Sequence, residues 1–236
     1  MSGVGTTAMV LAAGVGVRMR PLTNTRPKPL VEIKGKPLIE FGFDRLRAAG
    51  VNKAVVNVHY LPEQIEAWAK RQTSPRIEIS SEREQLLDTG GGIAHALPLL
   101  GETPFFVINS DSFWIDGTVP ALERLRRNWD DDTMDCILLL CPRERTLGYG
   151  GTGDFILADD GRLSRPPAGT VALVYIGAYL VHPRLFQGAP PGKFSMNLLW
   201  DQAIHKGRLF GISHTGRWVH VGTPDAIGEA ESALLE

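Results

Sequence analysis

An apolar run, Ala8 to Leu11, leads directly into Ala12-Ala13-Gly14-Val15-Gly16-Val17-Arg18-Met19-Arg20-Pro21, and Arg26-Pro27-Lys28-Pro29-Leu30 follows within a few residues. No other feature of this 236-residue chain restricts the fold as strongly. A buried strand that ends in small residues and then in cations is the layout of a loop that receives an anion. Small residues let a backbone approach a phosphate chain closely, and their N–H groups can point inward as a nest. Arg18 adds a planar fork matched to phosphate oxygens, and Lys28, held between two prolines, adds a second charge. Neither of the two commonest phosphate loops fits. A dinucleotide fingerprint requires G-x-G-x-x-G, and Met19 stands where the third glycine would be. A Walker loop requires Lys-Ser or Lys-Thr after its glycines, and none follows here.

What surrounds the loop is a regular alternation. Strands are predicted at Ala8–Ala13, Lys53–Val58, Arg76–Ser80, Pro104–Asn109 and Asp135–Cys141. Helices are predicted at Pro37–Ala49 (stopped by Gly50), Pro62–Arg71, Ile93–Leu100 behind Gly90-Gly91-Gly92, and Pro120–Asn128. Such β-α-β alternation implies an α/β fold: a Rossmann-like mixed, mostly parallel sheet with helices on both faces. Parallel sheets place ligand loops at the carboxyl ends of their strands. The loop after the first strand and Asp111, just beyond Pro104–Asn109, both fall there. The second half is richer in loops. Thr170–Val181 reads as a long apolar strand or strand pair, and Leu198–Lys206 as a helix. A carboxyl-terminal helix follows, with Thr223 as N-cap and Pro224 at its first position. No repeat or linker divides the chain, so residues 1–236 are expected to form one domain.

Composition narrows the function classes. A net charge of −1 leaves no general field for nucleic acid or an anionic membrane, so positive charge at a phosphate site must be local. No run approaches the length of a membrane span, and the amino terminus lacks the pattern of a signal segment. Cys136 and Cys141 lie at opposite ends of one apolar strand, about 16 Å apart and beyond disulfide reach. Two unpaired thiols point to a reducing, cytoplasmic setting. The histidines show no zinc spacing, and no G-x-S-x-G elbow is present.

The segments Leu11-Ala12-Ala13-Gly14-Val15-Gly16-Val17-Arg18-Met19 and Pro27-Lys28-Pro29-Leu30 resemble the opening of the sugar-1-phosphate nucleotidyltransferases, the sugar-nucleotide pyrophosphorylases, over L-A-[AG]-G-x-G-x-R-[LM] and P-K-P-L. The resemblance continues from Met9 to about Ala230 and implies the nucleotide-diphospho-sugar transferase fold. Residues 1–135 would then form mainly the nucleotide-binding half and 136–236 mainly the sugar-phosphate half. The implied reaction is attack by a sugar 1-phosphate oxygen on the α-phosphorus of a nucleoside triphosphate, giving a nucleotide-sugar and pyrophosphate. The nucleophile is already ionised, so catalysis reduces to aligning two anions and neutralising their charge.

The resemblance also assigns roles. Leu11, Ala12, Ala13, Gly14, Gly16 and Arg18 would hold the nucleotide, Arg18 on its triphosphate, while Lys28 would reach both reacting phosphates. Gly90 and Gly91, in Leu86-Leu87-Asp88-Thr89-Gly90-Gly91-Gly92-Ile93, match a segment whose backbone reads the nucleobase edge. Phe106-Val107-Ile108-Asn109-Ser110-Asp111 resembles V-x-N-[GS]-D, with Asn109 at the nucleotide and Asp111 on Mg²⁺. Gly153, Arg165 and Gly177 match positions on the sugar-phosphate side, Arg165 replacing a lysine. One departure stands out. The family pattern W-x-D-[IVT]-G-T reads Trp218-Val219-His220-Val221-Gly222-Thr223 here, with an imidazole where a second magnesium carboxylate is usual. Mg²⁺ prefers oxygen ligands and Mn²⁺ accepts imidazole, so three accounts stay open: a softer metal, a magnesium held by Asp111 with water and phosphate, or a weakened enzyme.

The compact length, Leu87-Asp88-Thr89-Gly90-Gly91-Gly92, Phe194-Ser195-Met196-Asn197-Leu198-Leu199 and Val221-Gly222-Thr223-Pro224 are most similar to the branch of the family that uses UTP and N-acetylmuramate α-1-phosphate in cell-wall recycling. Guanylyl transfer to mannose 1-phosphate, or transfer to another hexose or heptose 1-phosphate, is the alternative. The long carboxyl-terminal additions of larger relatives do not fit after Asp225, which implies a monomer or a weak homo-oligomer. Two other classes remain: a nucleotide-sugar sensor, suggested by His220, and a phosphocholine cytidylyltransferase, should Trp114, Trp200 and Trp218 converge as a cage.

Overall fold

A computed structural model describes residues 3–235. The first strand, β1 (Thr7–Leu11), is buried almost throughout and runs into the small-residue loop, which continues through short 3₁₀ turns at Val17–Met19, Leu22–Asn24 and Lys28–Leu30. A two-residue hairpin, β2 (Glu32–Ile33) and β3 (Lys36–Pro37), leads into α1 (Leu38–Ala48), which buries Leu38, Ile39, Phe43 and Leu46 at helical spacing. Then come β4 (Lys53–Val58), α2 (Pro62–Ala69) with proline at its first position, and β5 (Arg76–Ser81). Next are α3 (Asp88–Leu100), β6 (Phe105–Asn109), β7 (Ser112–Ile115), α4 (Ala121–Arg127) and β8 (Cys136–Cys141). The remainder comprises β9 (Thr146–Leu147), the pair β10 (Ile156–Leu157) and β11 (Leu163–Ser164), β12 (Val174–Val181), α5 (Met196–His205), β13 (Leu209–Ser213), β14 (Arg217–His220) and α6 (Ala226–Ala233).

Seven strands form one sheet in the order β13-β8-β12-β6-β1-β4-β5. Neighbours are parallel except β12, which runs antiparallel to both β6 and β8. The sheet is therefore mixed and mostly parallel, and it draws strands from both halves of the chain. Continuous apolar runs such as Cys136-Ile137-Leu138-Leu139-Leu140-Cys141 fit strands covered on both faces. One face packs Phe43, Trp68 and Phe106; the other packs Phe105, Tyr179, Leu199 and Trp200. Both cysteines are free and buried.

A second sheet, β7-β14-β9, was not foreseen from the sequence. Its strands are only two to four residues long, too short to show alternation. It matters because β14 pairs antiparallel with β7, setting His220 opposite Ser112, while Val221 N–H donates to the Asp111 carbonyl. Two further expectations need correction. The triple glycine does not precede α3 but forms its first turn. The last helix starts at Ala226 after Asp225; Thr223 contributes its carbonyl to Ala226 N–H rather than a side-chain cap.

Candidate active site

The carboxyl ends of the parallel strands β1, β4 and β6 open onto a cavity of about 490 Å³. Leu11, Ala12, Ala13, Gly14, Gly16, Arg18, Lys28, Asn109 and Asp111 all line it, so the two motifs separated by most of a hundred residues meet in one place. Gly16 has φ +67, and a Cβ there would lie 2.9 Å from Lys28 Cβ. The loop therefore curls tightly over the lysine, and Thr23 Oγ1 donates to Gly16 O to hold it. Around Gly14, by contrast, nothing among the described residues stands within 4 Å of where a Cβ would be. Arg20 and Arg26 do not line the cavity; Arg26 faces Glu32 at the surface.

At the cavity floor, Lys28 Nζ lies 2.9 Å from Asp111 Oδ2, with 10% of the lysine side chain exposed. His220 Nε2 stands 3.8 Å from the same oxygen, beyond direct hydrogen-bond reach, and Nδ1 faces Gly148 O at 3.3 Å. The ring stacks on Trp218, which sets its plane. Burial pushes the Asp111 carboxyl upward, but His220 and Lys28 outweigh it and hold the group far below the ordinary carboxylate range. Asp111 is thus an anion under all ordinary conditions. Among the described residues no group of three or more His, Cys, Asp or Glu side chains could hold a metal. Asp111 and His220 supply at most two donors, which suits a cation that brings phosphate and water oxygens with it.

A second cavity, about 210 Å³, adjoins the first and shares Leu11, Asp88, Thr89 and Asn109 with it. Arg165 lines it. Its guanidinium donates to Asp201 Oδ1 and Asn197 Oδ1, both at 2.8 Å, and lies 4.4 Å from the Phe155 ring centroid. Tyr175, Tyr179 and Trp200 form an aromatic wall, and the buried Tyr179 hydroxyl has no hydrogen-bond partner among the described residues.

Four glycines stand elsewhere than expected. Gly90 and Gly91 do not line either cavity, and both N–H groups are already given to Phe194 O. They are small because a Cβ at Gly91 would come within 2.2 Å of Gly192 O and one at Gly90 within 2.4 Å of the Phe194 ring. The faces turned to the cavity come from Leu86, Asp88 and Thr89 instead. Gly153 donates to Tyr149 Oη and packs against Ala172; its neighbours Asp154 and Phe155 reach the second cavity. Gly177 sits at an irregularity in β12 and leaves room for Asn109. Sequence reasoning also missed Lys193 and Asn57 on the first cavity, and it offered Trp200 only as part of a cage, whereas the residue is a wall of the second cavity. The three tryptophans form no cage: Trp114 and Trp218 are buried cross-strand partners in a different cluster from Trp200.

The nucleotidyl transferase family matches residues 7–236. The chain belongs to this nucleotidyl transferase family. It is 47% identical to the N-acetylmuramate alpha-1-phosphate uridylyltransferase of Caulobacter vibrioides, with both chains covered in full. It is 34% identical to the protein of that name from Neisseria meningitidis, over 95% of this chain and 96% of that one. Among solved structures, UDP-glucose pyrophosphorylase complexed with UDP-glucose superimposes with a TM-score of 0.79 at 20% identity, covering 97% of this chain and 98% of that one. This nucleotidyl transferase therefore shares its fold with a nucleotide-sugar enzyme and all or nearly all of its length with two uridylyltransferases. No helix among the described residues is long and apolar enough to cross a membrane.

Proposed function

We propose that this nucleotidyl transferase joins UTP to N-acetylmuramate α-1-phosphate, releasing pyrophosphate. The observation that carries the reading is the pair of adjoining cavities, with Lys28 and Asp111 on the first and shared walls at Leu11 and Asn109. The first cavity takes the triphosphate against the Ala12–Gly16 backbone, Arg18 and Lys28. The second takes the sugar, with Arg165 toward its acidic groups and the rings of Tyr175 and Trp200 along its side. A sugar-phosphate oxygen attacks the α-phosphorus, the bond from that phosphorus to the bridging oxygen breaks, and pyrophosphate carries the electron pair away. No proton need be removed from the nucleophile, so the protein's contribution is alignment and charge. Lys28, fixed by Asp111, supplies a cation that can touch both reacting groups. Mg²⁺, or Mn²⁺ in its place, would be held by Asp111 with His220 beside it and would neutralise charge on the transferred group. The choice of uridine and muramate rests on the two relatives' names; two buried free thiols support a cytoplasmic setting.

The test is pyrophosphate release with UTP, GTP, CTP, ATP and dTTP against muramic, glucosamine, glucose, mannose and heptose 1-phosphates, in magnesium and then manganese. UTP with N-acetylmuramate 1-phosphate is expected to give the highest kcat/KM. A preference for GTP with mannose 1-phosphate would replace this substrate pair, and nucleotide binding without turnover by any pair would replace the reaction with sensing.

A further inference from the structure

Glu82 is 3% exposed, and among the described residues no lysine or arginine forms an ion pair with it. A buried carboxylate without a cation needs strong hydrogen-bond donors, and this one has two. Asn57 Nδ2 donates to Oε1 at 2.7 Å, and Leu87 N–H donates to Oε2 at 2.9 Å. Leu87 immediately precedes α3, so the carboxylate also faces the positive end of that helix. On its other side Asn57, itself 3% exposed, accepts from Ala12 N–H through Oδ1 at 2.7 Å. The chain of contacts therefore runs from the phosphate loop, through Asn57 and Glu82, to the segment that carries Leu86, Asp88 and Thr89 on the far wall.

The polarity of this chain is forced. Ala12 N–H is a donor, so the Asn57 atom that meets it must be oxygen, which turns the amide nitrogen toward Glu82. Leu87 N–H is also a donor, so the side chain at position 82 must accept at both ends, which only a carboxylate does. Gly92 keeps the space clear, since a Cβ there would lie 2.6 Å from Glu82 Oε1 and 2.9 Å from Asn57 Nδ2.

We propose that Asn57 and Glu82 are a positioning pair that sets the phosphate loop and the opposite wall at one fixed separation, and so determine nucleoside triphosphate affinity without themselves reacting. This rests on the first cavity being the nucleotide site. The hydrogen-bond polarity supplies its own test, because it can be reversed. Glu82→Gln places an N–H₂ against either Asn57 Nδ2 or Leu87 N–H, and Asn57→Asp sets two buried carboxylates side by side. Combining Asn57→Asp with Glu82→Gln restores the order. The carboxylate introduced at position 57 would accept from Ala12 N–H and from the amide introduced at position 82. That amide's oxygen would accept from Leu87 N–H, with one negative charge in the pair as before.

The measurement is calorimetric Kd, for the parent and three variants, of whichever of UTP, GTP, CTP, ATP and dTTP the parent binds most tightly, with thermal unfolding alongside. Glu82→Gln is expected to weaken binding at least tenfold, and the double variant to return within about threefold of the parent. KM for the sugar phosphate should move less than twofold in the double variant. A double variant that binds no better than Glu82→Gln, or that does not fold, overturns the pair while leaving the nucleotide site intact. A single Glu82→Gln variant that binds like the parent also overturns it. A parent that binds none of the five triphosphates overturns both the pair and the reading it rests on.

Discussion

Replacing Lys28 by methionine separates catalytic charge from fold stability. The side chain keeps its length and apolar stem but loses the ammonium 2.9 Å from Asp111 Oδ2. At that distance, and with an effective dielectric of about 20, the gross attraction is roughly 6 kcal/mol. Little of it is net stability. The Asp111 side chain is 34% exposed, so water replaces most of what the lysine supplied, and the fold should lose on the order of 1 kcal/mol. For a chain of this size that is about 2–4 °C in Tm. Turnover should respond quite differently. With two phosphate groups brought together, one missing cation costs about 2.7–4 kcal/mol of transition-state stabilisation, a loss of about 100- to 1,000-fold in kcat. Pyrophosphate release and thermal unfolding on the same preparation decide the matter. Lys28→Met with kcat within fivefold of the parent would refute the assignment, as would an activity loss matched by a collapse in Tm.

Other perturbations have equally definite outcomes. Gly14→Ala should leave Tm within about 1 °C, because nothing among the described residues stands within 4 Å of the new methyl, yet should weaken nucleotide binding if a phosphate chain lies against that backbone. Gly16→Ala should cost roughly 1–3 kcal/mol, from φ +67 and the approach to Lys28, and appear as a Tm drop of several degrees. His220→Asp should raise activity in magnesium relative to manganese, since it sets a second oxygen donor beside Asp111; an unchanged metal preference would remove His220 from any ligand role. His214 is buried, with Nε2 on Ile115 O and Nδ1 without a partner among the described residues, and burial lowers its pKa from 6.5. The unfolded chain therefore takes up a proton that the fold refuses, and Tm should fall as pH drops below about 6.5. His214→Asn should flatten that slope; identical slopes would show that the histidine does not contribute to it.

The features legible in the sequence were those whose cause is local. The loop from Leu11 to Arg18 announces itself because a strand, a tight turn and its cations are consecutive, and Lys28 follows on the same segment. Asp111 was legible because a parallel strand delivers whatever follows it to the same edge. The failures share one origin, which is partners distant in the chain. Gly90 and Gly91 match a segment that reads a base, but what excludes their side chains is distant in the chain, the Phe194 ring for one and the Gly192 carbonyl for the other. Asn57 and Glu82 look like an ordinary strand residue and a surface acid until Ala12 and Leu87 are placed on either side of them. The short β7-β14-β9 sheet has too few residues for a period, so the contact it creates between His220 and Asp111 was visible only as a motif.

This division also explains why the reaction class is easier to read than the substrates. On the proposed reading, transfer occurs where the two cavities meet; the walls they share are Leu11, Asp88, Thr89 and Asn109, with Lys28 and Asp111 on the first. Groups at that boundary would then act on phosphates, so their residue types carry the chemistry. Recognition of base and sugar lies farther out. There the first cavity offers Leu86 and Lys193, and the second offers Arg165, Asn197 and an aromatic wall assembled from β12 and α5. These groups come from separate elements, and their usefulness depends on a hydrogen bond or a ring angle rather than on identity alone. Arg165 shows the difference. As a letter it is one surface cation among many, but Asp201, Asn197 and Phe155 fix its fork beside the second cavity, and on the proposed reading that fixed direction is what would let it discriminate among sugar phosphates.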